Sequence, residues 1–92
     1  MVGMRFTTES GTLYHIDYAP SGQRWLTRHR AEDGGELRQD GGAIEIIDCS
    51  FIEVGRPMRF LLDLLQDGET ITTRTTTPVV KYWTSLEEVS QL

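Results

Sequence analysis

The run "MRFLLDLL" (58–65) sets Met58, Phe60, Leu62 and Leu64 on one side of an extended strand, an entirely apolar face that a second layer must cover. The same period of two recurs along the chain between glycine-rich turns. "MRFTT" (4–8) sets Met4 and Phe6 against Arg5 and Thr7, and "TLYHIDY" (12–18) sets Tyr14, Ile16 and Tyr18 against Leu13, His15 and Asp17. The turn formers "APSGQ" then lead into "QRWLTRH" (23–29), and the three segments read as a meander.

Further along, "AIEIIDCSFIEV" (43–54) is rich in β-branched residues and stops at "GRP", a turn or bulge between strands. "QDGE" (66–69) places Asp-Gly between two strand-like runs, the signature of a type I′ hairpin with positive φ at both central residues. The threonine-rich "ETITTRTTT" (69–77) disfavours helix through branching at Cβ. Pro78 has no N–H for a ladder and is expected to end that strand or mark an edge, leaving "VVKYW" (79–83) as a last strand. In "SLEEV" (85–89), Ser85 and Glu88 have the spacing of a capping box, which predicts one or two helical turns. Residues 31–42, rich in glycine and acid, read as a mobile loop with a short strand around Leu37.

These segments predict an all-β single domain over residues 1–92, with six or seven short antiparallel strands and a short C-terminal helix. At 92 residues a small β-barrel, SH3-like or similar, is favoured over a two-sheet sandwich.

Charge and cysteine content narrow the partners. The formal net charge is −5, which argues against general affinity for nucleic acid or anionic membranes. Cys49 is the single cysteine, so no intramolecular disulfide forms, and a reducing, cytoplasmic setting is expected. "MVGMRFTTES" does not read as a signal peptide, and Asp63 interrupts the greasiest segment, "FLLDLL". No apolar run approaches the roughly 20 residues of a membrane helix.

Residues for catalysis are sparse. His15 and His29 fall on neighbouring predicted strands and could face one another, but a zinc site needs further ligands. Cys49 lies in a β-rich run, where an inert buried thiol is the ordinary outcome. No phosphate loop, dinucleotide fingerprint or nucleophile elbow occurs, and no enzyme activity, cofactor or metal is expected.

The stretch "RWLTRHR" (24–30) is the main candidate surface. On a strand, Arg24, Leu26, Arg28 and Arg30 share one side, and Trp25, Thr27 and His29 the other. Residues 32–53 carry seven acids against Arg38, so cross-strand pairing accounts for the arginines better than phosphate contact. Arg24, Trp25, Arg28 and Arg30 are therefore candidate contacts for a protein partner, in keeping with the enrichment of arginine and aromatics at hot spots. The threonine strand reads as a solvated edge or near-edge and offers a second route, to a homo-oligomer.

"FTTESGTLYHID", "ELRQDGG", "VGRPMRFLL" and "TRTTTPVVKY" together resemble small β-rich proteins of actinobacteriophages and their actinobacterial hosts. In that family a "TxSGSxYxxD" opening, a middle "LR-DG", a "VG-P" and a terminal "T-TSPV" recur. The resemblance spans residues 6–82 and departs at "TTPV" (Thr76 to Val79). It implies a phage or prophage accessory protein in the bacterial cytoplasm and carries over no functional residues. The expected function is a non-enzymatic protein-binding module acting on a host or phage protein. The alternatives are a self-assembling virion or assembly component and, third, a nucleic-acid-binding module.

Overall fold

A computed structural model describes residues 2–29 and 42–86. They form six strands: β1 (Val2–Thr8), β2 (Leu13–Tyr18), β3 (Arg24–His29), β4 (Ile44–Cys49), β5 (Pro57–Leu62) and β6 (Thr72–Leu86). Each strand pairs antiparallel with its successor, and β6 returns to β1, closing a barrel. Alternation directs the core: Phe6, Tyr14, Ile16, Leu26, Ile46, Met58, Phe60, Leu62 and Val79 are all buried. Phe6 stacks on Tyr14 at 4.9 Å between ring centroids and on Phe60 at 6.2 Å. Each such side chain contributes about 1.5–3 kcal/mol by leaving water.

The small all-β barrel matches the sequence expectation; four details differ. Pro78 neither ends a strand nor separates two, because the threonine run and "VVKYW" are one continuous β6. Before Pro78 the strand pairs with β5, and after it with β1, with a register shift close by in each ladder. A residue without an N–H is tolerated where a ladder changes partner. It sits opposite Pro57, and its carbonyl accepts from the Glu9 N–H at 2.9 Å.

The Asp-Gly pair does not make a type I′ turn. Positive φ falls on Gln66 (57°) and Gly68 (71°), not on Asp67. β5 ends at Leu62, but Leu64 is still buried, so the chain continues inward and the connection 63–71 widens. Asp67 organises it: its carboxylate accepts from the Glu69 and Thr70 N–H groups at 2.8 Å each and from the Thr70 hydroxyl at 2.7 Å.

The strand expected over 43–54 stops at Cys49. Ile46 pairs with Leu62 and Asp48 with Leu61, so Ile47 is the extra residue of a bulge and is turned outward. The bulge returns Cys49 to the core side.

Ser85 and Leu86 belong to β6, paired with Gly3 and Val2, so Ser85 is not a helix cap, and the described residues contain no helix. Strand pairing with β1 offers these residues a full ladder, which outweighs a local cap. The remainder of the expected helix (Glu87 onward), Arg30, and the loop with its expected strand at Leu37 lie outside the described residues. No helix among the described residues is long and apolar enough to cross a membrane.

One threonine of the run has a structural task. The register shift between Pro57 and Arg59 interrupts the ladder, and the buried Thr76 hydroxyl accepts the Met58 N–H at 2.9 Å. A second hydroxyl cluster (Thr8, Ser10, Thr12 and Thr77) ties the β1–β2 turn to β6.

Candidate functional site

One end of the barrel is open where the segment after β4 crosses it. That segment is pinned at both ends. Ser50 N–H donates to the Arg59 carbonyl at 2.9 Å and the Ser50 hydroxyl accepts from Arg59 N–H at 3.0 Å. At the far side, Gly55 N–H donates to the Val79 carbonyl at 2.8 Å, and Val79 N–H to the Arg56 carbonyl at 2.9 Å. Between these anchors Ile52 packs against the core and Phe51 projects into solvent, 98% exposed. The ring is held out from a fixed backbone.

Beneath it lies a pocket of about 250 Å³ walled by Met4, Ile16, Ile52 and Met58, with Tyr18, Phe51 and Arg24 also lining it. Arg24 leans across from β3, donating to Cys49 Sγ at 3.6 Å and to the Ile47 carbonyl at 3.4 Å. Both acceptors are neutral, so the guanidinium brings a full positive charge to an apolar rim. Burial pushes the Cys49 thiol above its ordinary 9.0; Arg24 opposes that and Asp48 reinforces it. A thiol kept protonated at neutral pH is a packing group rather than an activated nucleophile.

A second depression, about 400 Å³, shares Cys49 and Ser50 with the first and is otherwise lined by Asp48, Arg59 and Leu61. A third, of about 350 Å³, lies on the outer wall among Trp25, Glu45, Asp63 and Gln66. His15 and His29 do meet, with ring centroids 4.5 Å apart and planes tilted by 52°. Among the described residues no group of three or more His, Cys, Asp or Glu is placed to hold a metal.

The structure distributes the sequence candidates rather than gathering them. Leu26 is a core residue, so the arginines that share its side of β3 flank the core: Arg24 at the open end, Arg28 half-buried opposite Tyr14. Trp25 is half-buried on the outer wall, in register between Asp17 and Glu45. Arg30 lies outside the described residues. Of the three described, Arg24 alone lines the pocket beneath Phe51.

Sequence reasoning missed Tyr18, Phe51 and Ile52 as site residues. A usable signal existed: Ser50 interrupts "IDCSFIEV", and Gly55 and Pro57 bound it, which marks Phe51 as a residue on a connection. Comparison with protein-family models, curated proteins and solved structures found no match. The fold defines a small closed six-stranded antiparallel barrel.

Proposed function

We propose that this protein is a non-enzymatic binding module of phage or prophage origin that docks a protein partner, from host or phage, through the open end of its barrel. The observation that carries this reading is Phe51, exposed on a pinned segment beside an apolar pocket and the Arg24 guanidinium. An aromatic anchor with a neighbouring arginine is the composition of an interface hot spot. The protonated state of Cys49 supports the non-enzymatic part of the reading. Nucleic-acid binding is disfavoured, since Arg24 and Arg28 lie toward the core side of β3 rather than forming an outward basic stripe.

The test is affinity capture from an actinobacterial host, comparing wild type with Phe51→Glu and Arg24→Glu, each checked for fold by circular dichroism. Loss of a specific co-purifying protein in both variants supports the reading. Undiminished capture of that protein would remove the open end from consideration.

A further inference from the structure

We infer that the open end is a self-association surface, on which Phe51 of one copy enters the mouth pocket of a second copy across a twofold axis. This rests on the reading of the open end as a binding surface and names its occupant.

A twofold interface must be complementary to itself, because both copies present the same patch. Here projection and hollow adjoin. Phe51 is 98% exposed and also lines the pocket of about 250 Å³ that would receive its counterpart. The hollow is open to solvent and its volume exceeds the roughly 150 Å³ that encloses a benzene ring, so a phenyl group can enter over Met4, Ile16, Ile52 and Met58. Tyr18, which lines the pocket, and Val54, on the same crossing segment as Phe51, are each more than a third exposed and add apolar surface.

Charge supports the same occupant. Among the described residues, Arg24 bonds to two neutral acceptors, Cys49 Sγ and the Ile47 carbonyl, and the Asp48 carboxylate accepts from the Cys49 N–H at 2.9 Å. The Arg24 guanidinium contacts Ile47 and Cys49, the residues on either side of Asp48, which places the two charges in one neighbourhood. A twofold axis beside them sets Arg24 of each copy against Asp48 of the other, giving each an opposite charge with which it makes no ion pair among the described residues.

The experiment is sedimentation velocity on the full chain from about 5 to about 500 µM. Wild type is expected to show a monomer–dimer equilibrium in that range. Phe51→Glu is expected to weaken it about 100-fold and Arg24→Glu about tenfold, with Arg24→Glu/Asp48→Arg restoring association by exchanging the charges. Unfolding curves in urea confirm that each variant folds. Monomer at every concentration, or a dimer indifferent to Phe51→Glu, overturns the inference, and failure of the exchange to restore association overturns the pairing of Arg24 with Asp48. A monomeric wild type that still captures a host protein through Phe51 overturns the second copy as occupant and leaves the binding surface standing.

Discussion

Arg5 and Asp17 face one another across β1 and β2, 3.2 Å apart, over the one residue on β1 that leaves room for them. A β carbon at Gly3 would stand 2.7 Å from Asp17 Oδ1 and 2.8 Å from the Arg5 guanidinium. The pair belongs to the outer wall, yet the Arg5 side chain is only 9% exposed. Gly3→Ala is expected to push the ends of both flexible side chains aside, with the Ile16 carbonyl also close at 3.1 Å, and to cost about 0.5–1.5 kcal/mol in urea unfolding. The solvated Glu53–Arg56 pair, at 3.1 Å, is the control: Glu53→Gln should change stability by no more than about 1 kcal/mol.

Thr76→Val keeps the shape of a buried β-branched side chain and removes the acceptor of the Met58 N–H. The expected cost is about 1–3 kcal/mol, the penalty of an unsatisfied buried donor. Thr75→Val, one position along and exposed, should shift the midpoint little.

Phe51 and Phe60 make a matched pair of tests, one fully exposed and one with no exposure. Phe60→Ala is expected to lose about 3–5 kcal/mol through the cavity it leaves. Phe51→Ala should leave stability within about 0.5 kcal/mol. Equal losses would mean that Phe51 has a structural role and is no free anchor.

Asp67 governs an acid transition. Hydrogen bonds from the Thr70 and Glu69 backbone, and from the Thr70 hydroxyl, hold its carboxyl at about 2, below the ordinary 3.8. Protons therefore bind more tightly to the unfolded chain than to the folded one. The contribution of Asp67 is fully present above about pH 4 and fades as pH falls toward 2. In thermal melts between those limits, wild type should lose stability more steeply than Asp67→Ala, and parallel curves would refute the assignment.

Cys49 should alkylate slowly in the folded protein below pH 9 and faster once urea exposes it, since burial raises its thiol above the ordinary 9.0. The folded state favours the protonated thiol, so its contribution to stability is intact below the ordinary value and is lost as pH climbs through the raised one. Iodoacetamide labelling across pH, read by mass, checks this. Rapid labelling at pH 7 would mark an activated thiol.

The alternation at Met58, Phe60, Leu62 and Leu64 was readable in the sequence because one face of a strand admits no polar residue in a core. Pro78 was misleading because its missing N–H is judged locally, whereas its tolerance depends on where β6 changes from β5 to β1. Asp67-Gly68 failed as a tight turn for a similar reason: burial of Leu64 overrides the local preference. The side taken by Trp25 was decided by Leu26, whose burial turns its neighbours outward, and a mixed strand such as "RWLTRH" does not announce which face wins. Phe51 stayed hidden because β4 ends at Cys49, inside a run whose strand-like composition continues to Val54.

β6 holds both the first strand and the fifth, and it is the last of the six to be made. Until residues 72–86 have been made, β1 and β5 lack the strand that joins them, and the barrel cannot close. Pairings so distant along the chain form slowly and leave greasy surface open meanwhile. A chain halted before Thr72 would carry five strands and no means of sealing them, since β6 alone bridges β1 and β5 among the described residues.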